Sequence, residues 1–549
     1  MKKIIFRCIF SIIISLSFVS LKAQKGSTSN VITASDLESH VTFLASPLLK
    51  GRLNGEEGLE IAGQYIASQA KLIGLKPANG TSYFQPYNII KKITDTEKTI
   101  IQIITNGKDT VRYNTTLTNM IPTGPDDFNL EGEVVFTGYG IKADKYNYND
   151  FENINPEGKI LLIMDRAPMK KDGKTSQFEE PGWVSEMNFQ IKLTTLILTK
   201  AKAILIVSDP KSGFKSFAES NPDIAGYLNS KTSLKEGKEE LPNPFMSAMP
   251  KVIFIHRNLA EELLNGSGYT LEGLQNDIDN SLKSKSFSID NKRLMINEVT
   301  TTSEITLNNI AGYTEGRDPV LKNEVVVFSG HYDHIGVSAN GINTGADDDA
   351  SGCAALLSMA KAFQSMSKKP LRSILFLWVS GEEIGLYGSE SYTKNPLFPL
   401  DQTIADLNMD MIGRVKGVAD STDETPMSGP NTVFVITGNQ SSELLSIAGE
   451  IDRKSKIDFD YSLSGREHPL QLFSRSDHYN FVQKDIPVLF FTTGLHSDYH
   501  TPQDVVGKLD FNKLEIVTRT MFEIGLEVAS RKTRLVVDNP YSTWGTKTR

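Results

Sequence analysis

The chain has 549 residues and a formal net charge of −8, with 39% hydrophobic and 23% charged residues. It is too long for one ordinary core, its balance is globular, and it lacks the clustered basic face that nucleic acid recruits. Mild acidity by itself selects no partner.

The N-terminus, MKKIIFRCIFSIIISLSFVSLKAQKGS, sets Lys2, Lys3 and Arg7 ahead of an apolar run from Cys8 to Leu21. Leu21-Lys22-Ala23 then offers a small-residue cleavage site. This reads as a signal peptide over residues 1–23, so an exported protein, periplasmic or extracellular, is expected. The run falls short of the ~20 apolar residues of a spanning helix, and no transmembrane span is expected after cleavage. Cleavage would leave Cys353 as the one cysteine, which excludes an intramolecular disulfide. In SGCAALLSMAKAF it reads as a small buried hydrophobe.

A first block runs to residue 122. Ser35 and Glu38 have capping-box spacing, so a helix is expected there. Ala62, Tyr65, Ile66, Gln69, Ala70 and Ile73 recur at helical spacing, and Gly74 and Pro77 end that helix. A second block, 123–295, holds short β-like runs in GEVVFTGYGI, GKILLIMDRAP, AKAILIVSD and PKVIFIHRN. Residues 171–250 are otherwise rich in Lys, Ser, Pro and Gly and read as loops, and His256 reads as an ordinary histidine.

The third block, 296–535, alternates apolar strands with helices. EVVVFSG, SILFLWVSG, TVFVITG and IPVLFFTTG are strands without polar alternation, and FNKLEIVTRTMFEIGLEVASRK is an amphipathic helix. This pattern predicts an α/β fold, a mostly parallel central sheet flanked by helices. Residues 536–549 form a tail, read as a loose end or a packing strap.

In such sheets ligands bind beyond the carboxyl ends of the strands. The chemically active residue types follow the strands directly. His331, Asp333 and His334 follow the first, Glu382 and Glu383 the second, Asp410 a shorter apolar segment, and His496, Asp498 and His500 the last. A loop, TGADDDASG, places three adjacent aspartates on the same rim. Adjacent carboxylates repel and resist burial, so a cation is expected among them. His331 and Asp333, two apart in extended chain, share a face, and such a carboxylate can fix the imidazole tautomer that binds metal. Mixed His and carboxylate donors suit zinc, with manganese or cobalt next.

The set HYDHIG, GADDDASG, GEEIGLYGS, NMDMIG and SDYHTPQD resembles the di-zinc aminopeptidase family that includes glutamate carboxypeptidases and transferrin-receptor ectodomains. GRLNGEEG and the helix after it resemble the family's N-terminal segment. Residues 123–295 resemble the mainly-β protease-associated domain inserted in secreted members, which would leave 24–122 plus 296–535 as the catalytic domain.

The resemblance implies two Zn2+ per chain. Asp348 would bridge them, His331 and Asp410 would complete one site, and Glu383 and His500 the other. Glu382 would be the general base, Asp333 the partner of His331, and Tyr499 a group facing the reacting carbonyl. Asp347 and Asp349 would hold the loop, Asp477 and His478 would shape the pocket, and His334, His468 and His496 would be bystanders. Peptides are the implied substrates, with removal of N-terminal residues favoured. A carboxypeptidase would draw on Arg414, Arg466 and Arg475 for a terminal carboxylate. A glutaminyl cyclase ranks lower, and a receptor-like binding protein is the alternative of a different class.

Overall fold

The computed structural model describes residues 28–544 apart from 108, 114–119, 123, 180–187, 222–224, 226–227, 236–248 and 418–425. The expected signal peptide and its cleavage site therefore lie outside the described residues. The chain divides into two compact units. One comprises the chain up to Pro86, Asn308–Val337 and everything from Ile342; the other comprises Tyr87–Leu307 and Ser338–Gly341. The second unit contains the segment 123–295 and extends further at both ends. The reason is strand pairing: Ile100–Thr105 and Asp109–Tyr113 join a sheet through Phe287–Glu298, a partner that local pattern cannot reveal.

In the first unit, α1 (Ala34–Leu44) buries Leu37, Val41 and Leu44. Its cap is Thr33, whose hydroxyl accepts the Asp36 amide, two residues before the Ser35 box read from the sequence. α2 (Glu57–Ile73) buries Leu59, Ala62, Ile66 and Ala70, and Gly74 ends it at φ 92°.

The strands that position the site and flank it are β1 (Thr300–Thr314), β2 (Val325–His331), β3 (Ser373–Val379), β4 (Thr403–Met409), β5 (Thr432–Ile436), β6 (Asp458–Asp460) and β7 (Val488–Thr492). Their order in the sheet is β1-β3-β2-β4-β7-β5-β6. The central four, β3-β2-β4-β7, run parallel. β1 and β5 flank them antiparallel, and β6 lies parallel to β5. Every residue of the central four is buried, which is why their sequences are mostly apolar, with Ser329 and His331 in β2 and Asp406 and Asn408 in β4 among the buried polar exceptions.

The helices on one face are α3 (Ala350–Ser365) and α5 (Phe511–Ser530), and α4 (Ser442–Asp452) packs against α5. Phe328 of β2 meets Phe363 of α3, whose ring centroid lies 4.5 Å from that of Phe522 in α5. Val325 and Val327 point into the opposite core with Leu375, Leu377, Phe434 and Phe481. Within the described part of the tail, Trp544 and Tyr541 lie on this second core, and Asp538 accepts the Ser442 amide.

The second unit is built on an eight-stranded sheet. Phe128–Phe136, Ile160–Met164, Ala203–Val207 and Lys251–Ile255 pair parallel at its centre, matching the four apolar runs of the sequence. His256 has a structural task there, accepting the Asn258 amide to cap the helix Arg257–Leu264. Among the described residues no helix is long and apolar enough to cross a membrane.

Candidate metal centre

Parallel strands deliver their carboxyl ends to one edge, so the loops after β2, β3, β4 and β7 converge. His331 is the last residue of β2. Its Nε2 lies 3.1 Å from Asp348 Oδ1 and 3.5 Å from Asp410 Oδ1. Asp410 follows β4 directly. On the other side of Asp348, Oδ2 lies 3.2 Å from His500 Nε2, which is also 3.0 Å from Glu383 Oε2. The sequence-predicted set His331, Asp348, Glu383, Asp410 and His500 is thus brought together around one carboxylate. Glu382 Oε2 reaches to 4.0 Å from His331 Nε2.

These donors are suited to hold metal. Asp410 Oδ1 and His500 Nε2 are buried atoms without a hydrogen-bond partner among the described residues. Donor atoms of His334, Asp348, Glu383 and His500 all lie within 4.8 Å of one another, and so do those of His331, Asp349 and Asp410. The electrostatics of the donors suit a cation. Burial opposes charge on His500, but Glu383 and Asp348 outweigh it and push the imidazole up to about 10. His331 is driven the same way against its burial, by Glu382 and Asp410. Protons on the two imidazoles balance charge that a cation would balance in their place.

Glu382 behaves differently from its neighbour. Burial raises its carboxyl well above the usual range, and Glu383, Asp410 and Asp477 push the same way against His331. Glu383 is instead pulled down to about 2, because His500 and His334 overcome its burial and the nearby Asp348. The two adjacent glutamates thus differ: Glu382 is held toward its neutral form and Glu383 toward its charged form.

Asp333 holds this loop. Its carboxylate accepts the amides of Glu382 and Glu383, each at 3.3 Å, and the Asn54 side chain at 2.6 Å. Asn54 in turn accepts the Gly381 amide. The expected pairing of Asp333 with His331 is changed in detail. His331 Nδ1 lies 3.2 Å from the backbone carbonyl of Asp333 and 3.7 Å from its carboxylate. The result for the ring is the same: Nδ1–H donates to an oxygen and Nε2 faces the acids.

The aspartate loop has its own framework. Asp349 caps α3, accepting the Gly352 amide, and also accepts the Met411 amide. Asp347 accepts the Gly413 amide. Asp504, which sequence reasoning missed, accepts the amides of Asp347 and Asp348. Arg52 was missed as well. It is 1% exposed, and its guanidinium donates to the carbonyls of Tyr332, Leu44, Thr344, Gly345 and Asp348. The backbone approaches closely here: a Cβ on Gly51 would sit 2.4 Å from the Asn343 carbonyl oxygen, and one on Gly345 2.2 Å from that of Asp348.

His334 is no bystander. Its Nδ1 lies 2.7 Å from Glu383 Oε1, so it holds that carboxylate. His496 is buried with Nε2 3.5 Å from Asp347 Oδ2, and His468 only turns its own loop, accepting the Leu470 amide. His478 packs on Phe490 below the cleft. Tyr499 stacks on His500 with ring centroids 3.8 Å apart, and its hydroxyl lies 3.5 Å from Arg475 Nη2. The cleft in front of the cluster is lined by Asp348, Glu382, Asp410 and Tyr499, with Leu472, Phe490 and Leu495 as apolar walls.

The chain is similar to several known proteins. Leucine aminopeptidase 1 of Trichophyton equinum is 27% identical over 218 residues, which is 38% of this chain and 54% of that protein. A probable zinc metalloprotease of Pyrenophora teres f. teres is 28% identical over 222 residues, 37% of this chain and 45% of its own. The chain therefore spans about half the length of these curated relatives. Among solved structures, an aminopeptidase from Aneurinibacillus sp. strain AM-1 aligns over 93% of this chain and 97% of its own, at 18% identity and a TM-score of 0.49. Residues 309–525 match the profile of Peptidase family M28. That segment, which is similar to the family, carries β2 to β7 and every donor of the cluster.

Proposed function

We propose that the protein is a two-zinc exopeptidase that removes N-terminal residues from peptides. The observation that carries the reading is Asp348, whose two carboxylate oxygens face two different histidines. His331, Asp348 and Asp410 would hold one ion, and Asp348, Glu383 and His500 the other. When bound, the ions supply a water acidified toward neutral pH and a positive charge facing the scissile carbonyl.

The chain's own residues do the rest. Glu382, in its ionised form, takes the proton of the attacking water and delivers it to the leaving amine, and burial makes it the stronger base. Tyr499, whose phenol is kept protonated by burial and by Asp348 and Glu383, presents an O–H donor at the cleft. Leu472, Phe490 and Leu495 exclude water from the substrate side chain.

The acids favour a free ammonium over a free carboxylate at this cleft. Of the three arginines a carboxypeptidase would use, Arg414 is engaged with Asp498 and Arg466 lies over Trp544. Arg475 alone of the three lines the cleft. A panel of peptides blocked or free at each terminus, with zinc measured in parallel, tests the assignment. Cleavage that requires a free amino end, with two zincs per chain, is the expected result; cleavage that requires a free carboxyl end overturns it. The basic and apolar N-terminus supports export. N-terminal sequencing of protein from the periplasm or medium should begin after residue 23, and a mature chain that keeps residues 1–23 overturns that part.

A further inference from the structure

Behind Asp410 a line of buried polar side chains runs into the sheet. Ser476 Oγ lies 2.8 Å from Asp410 Oδ2 and 2.8 Å from Asn408 Nδ2. Asn408 Oδ1 lies 2.9 Å from Ser329 Oγ, and Ser329 Oγ lies 2.7 Å from Asp406 Oδ1. The path crosses from β4 to β2 and back. All five residues are buried, and Ser329, Asp406 and Asn408 are completely so. Polar groups inside a parallel sheet are costly, and here they form one connected line that ends on a proposed metal ligand.

Counting protons gives the line a direction. Ser476 must donate to Asp410, because a carboxylate oxygen only accepts. Its oxygen therefore accepts from Asn408 Nδ2, which turns the amide oxygen of Asn408 toward Ser329. Ser329 has one proton, and it faces two oxygens, Asn408 Oδ1 and Asp406 Oδ1. If Asp406 were ionised, it would claim that proton and leave two oxygen lone pairs opposed at 2.9 Å. The alternative is to flip Asn408, and then Ser476 has no proton left for Asp410. If Asp406 keeps its own proton, each hydroxyl donates once and accepts once, and the line closes.

The surroundings favour the second case. Burial raises the Asp406 carboxyl well above the usual range, the nearby Asp477 pushes the same way, and only the contact with Ser329 opposes them. Asp406 Oδ2 has no hydrogen-bond partner among the described residues.

We infer that Asp406, uncharged, anchors a one-way relay through Ser329, Asn408 and Ser476 that fixes Asp410 with Oδ2 engaged and Oδ1 free for metal. Asp406 is a positioning residue and touches no substrate. The inference rests on the metallopeptidase reading only for what Asp410 does, not for the protonation of Asp406.

The test uses the full chain. Zinc affinity is measured on stripped protein by competition with a chelator, for the unaltered chain, Ser329→Ala and Asp406→Asn. Ser329→Ala breaks the line and should weaken one zinc of the two by about 10–100-fold. Asp406→Asn keeps an N–H facing Ser329 and should bind zinc nearly as tightly as the unaltered chain. An infrared difference spectrum, unaltered minus Asp406→Asn, should show the carbonyl band of a protonated carboxyl at neutral pH.

Unchanged affinity in folded Ser329→Ala overturns the relay. A carboxylate band in the difference spectrum, or an affinity loss in Asp406→Asn as large as in Ser329→Ala, overturns the uncharged anchor. If Ser329→Ala does not fold, the spectrum still decides on Asp406. Absence of zinc binding in the unaltered chain would sink the metallopeptidase reading instead, and the spectrum would remain interpretable.

Discussion

Arg52 Nη2 lies 3.3 Å from the backbone carbonyl of Asp348, a residue 296 positions further along the chain. Four more carbonyls share that guanidinium, and no carboxylate pairs with it among the described residues. Burial works against its charge; Cys353, Asp348, Asp333 and Asp349 favour it. Arg52 is thus the fixed cation beneath an acidic loop whose carboxylates face the other way. Arg52→Met strands five carbonyls and should cost about 3–5 kcal/mol of stability, together with most of the bound zinc. Denaturant unfolding and zinc per chain would show it. Arg52→Lys should not restore either, because one ammonium cannot span that fork of acceptors.

Glu382→Gln removes the proton carrier and leaves every proposed donor in place. Turnover should fall by about 10²–10⁴-fold while zinc per chain stays unchanged. A variant that retained full activity would break the assignment of Glu382 as base.

His334→Ala releases Glu383 from its 2.7 Å contact. Loss of a residue that orients a metal ligand weakens binding by about 10–100-fold. Chelator competition should therefore find one weakened zinc in this variant, on the Glu383 side, and the other unaltered. Equal affinities with and without His334 would return it to the role of bystander.

His478 should make the fold acid-sensitive. Its Nε2–H donates to the Phe473 carbonyl at 2.9 Å, and Nδ1 is buried with no partner among the described residues. Burial lowers its pKa from 6.5 to about 3, against the Phe473 carbonyl. Between those values the unfolded chain binds a proton and the folded chain does not, so stability rises with pH. The contribution is complete above the unfolded value and is lost on acidification, at up to ~1.4 kcal/mol per pH unit. His40, lowered to about 4 by burial, adds in the same sense. His478→Gln keeps a donor for Phe473 and should flatten the acid limb of a stability–pH curve. An unchanged limb would show that other groups set it.

The metal cluster was legible in the sequence because a parallel sheet puts the residue after each strand on one rim. Asp410 and Glu382 could be found from that rule alone, and His500 from its place after the last strand. What the sequence did not show was the support. Arg52, Asn54, Asp504 and Ser476 act through hydrogen bonds that are mostly to residues tens to hundreds of positions away, and such contacts leave no periodicity. His334 was misjudged for a similar reason: its neighbour in space is Glu383, 49 residues on. The cap of α1 was misplaced by two residues because Thr33, Ser35 and Glu38 all carry capping chemistry, and only geometry selects among them. The limits of the second unit were set by the pairing of Ile100–Thr105 with Phe287–Glu298, a long-range fact.

Cys353 sits in the first turn of α3, 1% exposed, with its Sγ–H directed at the His331 carbonyl 3.0 Å away. Burial and Asp349 keep the thiol protonated. An alkylating reagent can therefore react only while β2 and the aspartate loop separate. The rate of that reaction is a built-in clock for opening of this edge of the sheet, readable without a spectroscopic label.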